Sequence, residues 1–430
     1  MRVGIVGAGV TGLTVAHELL KRGHEVTLFE RGEPGGLAGG VPFPGIDGVY
    51  LDKYYHHCFK GDKELIELIA EHGFEPELMW LESKSGIFAD GRSWPFRTPR
   101  DLLAFAPIGS LLHRFVMGWN LLYLKRKSEW RDLDGISCRE FFERRWNATA
   151  YTALWGPLLS RKFADACDDI PASFLWGRVR PRARSRETGK ETLGYLRGGF
   201  QRLVCALVDS IRERGGTVSA GDRVEQLIPG NRPELVSEKD RAMFDRVVWT
   251  IGLDSLPTIV QEIPPDVERK ARAIEYMAAT CLVIVAKRRQ GEFYWLNSID
   301  PTVSFGAVIE HTNLVSPEDY GGNHILYVLN YHRPNSEFCG LGPEEVLEKH
   351  LGSLGKVLPN FSREAIVRMH LFRDLESCPL YNLRFSEKVP PYQGWLPNVD
   401  ICGMAQVYPI DRNMNACVQN AMRYVKQAYG

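Results

Sequence analysis

The chain has 430 residues, 44% hydrophobic and 25% charged, with 53 Lys plus Arg against 53 Asp plus Glu. That length exceeds one compact core and points to two or three domains, while zero formal net charge excludes a global pull toward nucleic acid. Nine scattered cysteines without a C-x-x-C pair argue against zinc or a disulfide framework, so no metal is expected and a cytoplasmic location is.

Residues 1–6 read as a short apolar strand running into Gly7-Ala8-Gly9-Val10-Thr11-Gly12. A helix ending near Arg22-Gly23 follows, then a strand over His24–Phe29 that stops on Glu30. Strand, glycine-rich turn, helix and second strand with a terminal acid make a dinucleotide-binding unit. Gly7 allows the tight turn, Gly9 lets a pyrophosphate approach the backbone, and Gly12 lets the helix pack on the strand. Around Thr11 the helix N-terminus offers unpaired N–H groups to phosphate. Glu30 is placed to accept from ribose hydroxyls and would repel a 2′-phosphate, which disfavours NADP. The motif does not choose between NAD and FAD. Because the chain starts in this strand, no signal peptide is expected.

Arg31 to Gly40 holds five glycines in ten residues, a second backbone-exposing loop directly behind the acidic strand tip. An acidic strand end followed by Gly35-Gly36-Leu37-Ala38 resembles the FAD-binding N-terminus of the flavin amine oxidase superfamily. That superfamily includes protoporphyrinogen oxidases, phytoene desaturases and UDP-galactopyranose mutases. The resemblance implies FAD as cofactor, with Arg31, Gly35, Gly36, Leu37 and Ala38 along its phosphates and ribityl chain. Many members carry Arg where this chain has Leu37, so the loop is more similar to desaturase-type and glycan-cluster relatives.

His56 and His57 lie among aromatic residues just beyond this loop. One imidazole facing the flavin could hydrogen-bond it or move a substrate proton; alternatively the pair sits on opposite faces of a strand, one packed and one solvated. Residues 63–72 predict a short amphipathic helix. Trp94 to Pro99 breaks regular structure and marks a crossing into a second domain. From Asp101 to about Ala166 the pattern is helical and aromatic-rich, as for a cap over a substrate pocket. Within it, the apolar run Leu102–Leu124 is interrupted by Pro107 and carries Arg114, so no transmembrane segment is expected. It reads as a buried or partly amphipathic helix, with peripheral membrane contact open. Five arginines at spacing two, 178 to 186, would share one face of an extended segment, as a solvated connector or an anion site.

Gly198-Gly199 opens a further helix, followed by strands around Thr217–Ser219, Val224–Leu227 and Phe244–Thr250. This order resembles the returning part of the same FAD domain, in which backbone at the position of Val224 holds the adenine and Thr250 ends the strand. Strands are predicted over Thr280–Val285, Phe293–Leu296, Val303–Ile309 and Ile325–Leu329. Polar clusters end the last two, making Glu310, Asn313, Tyr331 and Arg333 candidates either for the pocket or for turn capping. Near the C-terminus, Gly403 closes a strand and Asn413-Met414-Asn415 precede a helix. This resembles the family's closing FAD motif, where a helix N-terminus points at the flavin. The mutase version of the motif carries an acid where this chain has Asn415. A mutase reading predicts arginines in the pocket, with Arg333, Arg384 and Arg412 as candidates.

The expected architecture is α/β: a Rossmann-type, GR2-like FAD-binding domain assembled from 1–90, 190–258 and 385–430. A mixed α+β substrate domain with a helical cap would take 91–189 and 259–384. The resemblance implies a flavin oxidoreductase that moves hydride from a C–N or C–C bond of a small molecule to flavin N5. Two alternatives stay open, a redox-neutral mutase acting on a nucleotide sugar and a flavin-binding protein without turnover. Nothing in the sequence sets the oligomeric state.

Overall fold

The structure, a computed structural model, describes residues 1–184, 186–187 and 190–430. The predicted dinucleotide unit lies in a five-stranded, wholly parallel sheet. In spatial order the strands are Thr217–Ala220, Glu25–Glu30, Arg2–Val6, Arg246–Trp249 and Val399–Ile401. Three far-separated stretches of chain therefore build one sheet. Its central strand Arg2–Val6 is buried from Val3 on, as expected for a parallel sheet covered on both faces. The helices Val10–Lys21, Gln201–Glu213 and Met414–Tyr429 pack together around it through apolar stripes such as Leu203, Val204, Leu207 and Ile211.

A second sheet has seven strands, ordered Ile366–Pro379, Tyr276–Ala286, His324–His332, Ala307–Glu310, Trp295–Ser298, Ser85–Ala89 and Arg92–Pro95. Every neighbouring pair is antiparallel except Ser85–Ala89 with Trp295–Ser298. Residues 85–89, placed with the nucleotide-binding unit by sequence, therefore pair in the large sheet instead. The reason is a partner more than two hundred residues away, invisible to local pattern. Tyr276–Ala286 is buried throughout, which suits its run of Ala, Cys, Leu, Val and Ile between two neighbours. Sequence reading passed over Ile366–Pro379 because this edge strand is half exposed and mixes Arg, His, Asp and Glu with its apolar residues.

The cap comprises helices Pro99–Ala104, Leu111–Arg126, Cys138–Arg144, Gly156–Phe163 and Ala172–Arg184, with a π turn at Tyr151–Trp155. Ser110 and Ser137 cap two of these N-termini, and Thr98 with Asp101 forms a reciprocal capping box on a third. The arginine run is not extended: Arg178 to Arg184 continue the last cap helix, where spacing two separates side chains by about 200°. The side chains of Arg182, Arg184 and Arg186 lie outside the described residues. That helix meets the C-terminal segment closely, since a Cβ on Gly177 would stand 1.9 Å from the Pro409 carbonyl oxygen. Among the described residues no helix is long and apolar enough to cross a membrane.

Candidate functional site

Gly7 closes the turn after the first strand at φ 104°, a conformation open to glycine. A Cβ on Gly12 would lie 2.0 Å from the Gly7 carbonyl oxygen, so only glycine lets the helix Val10–Lys21 start this close to the turn. A Cβ on Gly9, by contrast, would meet nothing within 4 Å. The space above Gly9 and the helix N-terminus is thus an open cradle of backbone N–H groups, suited to a phosphate. The second glycine loop docks directly onto the first. Gly35 N donates to Ala8 O at 2.8 Å, and Gly9 and Gly35 form an isolated parallel bridge.

Glu30 ties the two loops together. One carboxylate oxygen accepts from Ala8 N at 2.8 Å and the other from Gly32 N at 3.0 Å. Thr250 fixes the turn from the neighbouring strand by donating to Val6 O at 2.8 Å. The C-terminal helix Met414–Tyr429 begins at Asn413, whose side chain accepts from Ala416 N at 2.7 Å.

One cavity of about 1060 Å³ joins these parts. It exceeds the roughly 300–1,000 Å³ of a typical small-ligand pocket, leaving room for a dinucleotide and a second molecule. Of the residues singled out by sequence, its wall includes Gly7, Gly9, Thr11, Glu30, Arg31, Gly35, Gly36, Leu37, Ala38, Val224, Thr250, Asn413 and Met414. His56, His57, Tyr331 and Arg412 line it as well. Gly12 lies just behind the wall in its packing role, and Met404 occupies the wall where Gly403 was expected.

Asn415 faces away, accepting from Leu65 N at 2.8 Å and donating to Glu64, so it fastens the C-terminal helix to Lys63–Glu71. Four of the substrate candidates also lie off the cavity. Glu310 is buried and accepts from Gln290 N and Gly291 N, and Asn313 donates to Gly291 O and Phe293 O, so both serve the turn-capping reading. Arg333 is held by Asp165 and Glu275. Arg384 sits in a left-handed turn, its N–H donating to Asp134 O. Strand ends in this sheet point toward connections that need backbone partners, and those needs consume the polar side chains.

The wall beyond the glycine loops is aromatic and cationic. Tyr55 meets Trp295 edge-on with ring centroids 4.4 Å apart, and the Tyr294 hydroxyl lies 3.4 Å from His57 Nδ1. His56 Nδ1 sits 2.7 Å from the Tyr54 carbonyl oxygen, which can only accept, so Nδ1 carries the proton and Nε2 keeps its lone pair. Burial, with the nearby Arg412 charge, pushes His56 down to about 4 against that hydrogen bond. It is therefore a neutral imidazole at neutral pH.

Also on the wall, Asp411 pairs with Lys162 and, at 3.1 Å, with Arg178. Burial alone would raise the Asp411 carboxyl, but these two cations outweigh it and hold it at about 2. Arg412 donates to the Tyr331 hydroxyl at 3.2 Å. Lys162, Arg178, Asp411 and Arg412 all line the cavity, giving this part of the wall an excess of positive charge. Sequence reading missed Lys162 and Asp411 because their pairing spans 249 residues.

The family profile of flavin containing amine oxidoreductases matches residues 10–386. The chain belongs to that family. This amine oxidoreductase is 27% identical over 203 residues to a zeta-carotene desaturase of Zea mays, covering 41% of this chain and 34% of the relative. It is 50% identical over 46 residues to the flavin-containing monooxygenase ustF2 of Aspergillus flavus, covering 10% and 9%. The matched parts thus span about a third or less of those curated relatives. Among solved structures it resembles an Exiguobacterium sp. 255-15 protein provisionally assigned as a protoporphyrinogen oxidase, with a TM-score of 0.76, 18% identity, and 99% and 98% of the two chains covered. A reduced UDP-galactopyranose mutase gives 0.76 at 14% identity, covering 100% and 96%. A putrescine oxidase with bound putrescine gives 0.69 at 14%, covering 99% of each. These likenesses establish the flavin-binding amine oxidase-type fold. The family supports an enzyme that uses a flavin.

Proposed function

We propose that this amine oxidoreductase is an FAD-dependent oxidoreductase of small molecules. The supporting observation is the single cavity whose wall takes in both glycine loops, Glu30, Val224, Thr250 and the start of the C-terminal helix. The open space above Gly9 fits the pyrophosphate. Glu30 and Val224 would hold the adenosine half, and Gly36 to Ala38 with Asn413 and Met414 the flavin half. Bound there, FAD would supply a hydride acceptor for a C–N or C–C bond of the substrate.

The chain's own contribution is placement and hydrogen bonding. Tyr55, Tyr294 and Trp295 form an aromatic wall that excludes water from one side. His56 offers a neutral Nε2 lone pair able to accept a hydrogen bond from a substrate group, while Nδ1–H stays committed to Tyr54 O. His57 is oriented by Tyr294. In this reading segments 1–90, 190–258 and 385–430 carry the cofactor and the remainder the substrate, with residues 85–89 shared into the large sheet. The test is direct. Purified protein should be yellow, release FAD rather than FMN on denaturation, and bleach anaerobically when a substrate is added. Colourless protein that takes up no FAD on reconstitution would remove the reading.

A second reading, redox-neutral action on a nucleotide sugar, draws support from Lys162, Arg178 and Arg412 on the substrate wall, since clustered cations suit a diphosphate. It predicts ring-isomerised sugar nucleotide only with dithionite-reduced enzyme. No such product from the reduced holoenzyme would exclude it.

A further inference from the structure

We infer that the cap helix Leu111–Arg126 is a docking surface for an anionic lipid bilayer. The sequence left this run as a buried or partly amphipathic helix with peripheral membrane contact open, and four of its large apolar residues face outward. Leu111, Leu112, Phe115 and Trp119 are 60%, 70%, 61% and 64% exposed. At about 100° per residue, positions 111, 112, 115, 119, 122 and 126 fall within an arc of about 100°. Met117, Asn120 and Leu124 form the buried face on the far side. An exposed stripe of large apolar residues on one helix, with tryptophan among them, is unusual for a free surface and marks a contact face.

Charge selects the occupant. The helix has no Asp or Glu, and its last turn carries Lys125 and Arg126. Neither makes an ion pair among the described residues, while the acids just beyond, Asp132 and Glu129, are taken by Lys127 and Arg131. Arg126 lies inside the apolar arc, and Lys125 beside it. Two copies packed symmetrically through this stripe would bury those cations with no carboxylate on the helix to meet them. A bilayer surface offers both requirements at once, acyl chains for the leucines and aromatics and lipid phosphates for the cations.

Position also favours a surface contact. The arc next to the stripe, through Gly118, Leu121, Leu122 and Lys125, lines the large cavity. Docking would therefore seat the cavity's outer wall on the lipid. Trp146, 90% exposed, precedes Asn147, whose amide donates to His113 O, so a further aromatic stands near the start of the same helix.

The experiment is co-sedimentation of the full-length holoprotein with vesicles of phosphatidylcholine alone or with one-third phosphatidylglycerol. The expected result is pelleting with the anionic vesicles and at least about tenfold weaker partitioning without phosphatidylglycerol. The triple variant L112S/F115S/W119S should stay in the supernatant while keeping its flavin and melting temperature. Protein left in the supernatant with both vesicles overturns the inference, as does pelleting of the triple variant at the wild-type level. A wild-type dimer that the variant converts to monomer, without vesicle binding, assigns the face to a second copy instead. Should the triple variant misfold, quenching by brominated lipid decides. Wild-type fluorescence should be quenched and W119F should lose that component, whereas unquenched wild type sinks the proposal.

Discussion

Asp52 is sealed between the two halves of the molecule, 1% exposed, accepting from the Tyr195 hydroxyl at 2.9 Å and from Phe200 N at 3.1 Å. Burial pushes its carboxyl up to about 7, and the two hydrogen bonds only partly oppose this. A raised carboxyl favours the folded state at low pH, so its contribution is complete below about pH 4 and is lost as pH rises through about 7. Asp52→Asn should therefore flatten the fall in melting temperature between about pH 4 and 7, with the two proteins running parallel above that window. Thermal melts across that range check it, and curves parallel within the window would rule it out. Asp411 works with the opposite sign. Held at about 2 by Lys162 and Arg178 against burial, it stabilises above about pH 4 and loses that contribution as pH falls through 2. Asp411→Asn leaves two cations facing each other at the cavity wall. The expected cost is about 2 kcal/mol in urea unfolding at pH 7, with a smaller difference at pH 3.

At the scale of elements, the site depends on how closely a helix can approach a turn. Gly12→Ala would put a methyl 2.0 Å from the Gly7 carbonyl oxygen, a backbone atom that cannot swing aside. Overpacking of that kind costs about 1–3 kcal/mol and would tilt the helix N-terminus away from the cradle. Purified Gly12→Ala should lose most of its visible flavin absorbance while Gly352→Ala, in the helix Pro343–Val357 where a Cβ meets nothing within 4 Å, keeps it. Equal flavin content in the two would show that the helix start is not part of the cofactor site. The two glycine loops were legible in sequence because their function is backbone geometry, which glycine spacing encodes directly. The roles of Glu310, Asn313, Arg333 and Arg384 were not. Polar residues at strand ends look alike whether they face a cavity or satisfy a turn, and here Gln290, Gly291 and Phe293 supply the backbone partners that claim Glu310 and Asn313.

For the molecule as a whole, the cavity wall draws on residues from both chain ends and from the Asp222–Ser255 return, so a bound dinucleotide would couple distant parts of the chain. Cofactor that binds only the folded state adds about 2.7 kcal/mol at a hundredfold excess over its dissociation constant. Deflavinated protein should accordingly melt lower, and added FAD should restore the holoprotein value in a concentration-dependent way. NAD at the same concentration should not. If NAD shifted the melt as FAD does, the second glycine loop would have no part in cofactor choice.

By itself the sequence determined the dinucleotide unit from Arg2 to Glu30, the second glycine loop and the helix that closes the chain. Each is a local pattern in which spacing and residue type already specify the backbone. Only the tertiary structure decided which side chains reach the cavity, that residues 85–89 join the large sheet, that the arginines from 178 to 184 lie on a helix, and that the cap helix turns Leu111, Leu112, Phe115 and Trp119 outward. Those outcomes depend on partners far apart in the chain, such as Lys162 with Asp411 or Ser85–Ala89 with Trp295–Ser298. Contacts of that separation leave no periodicity in the sequence and are set by which faces the folded chain has left to bury.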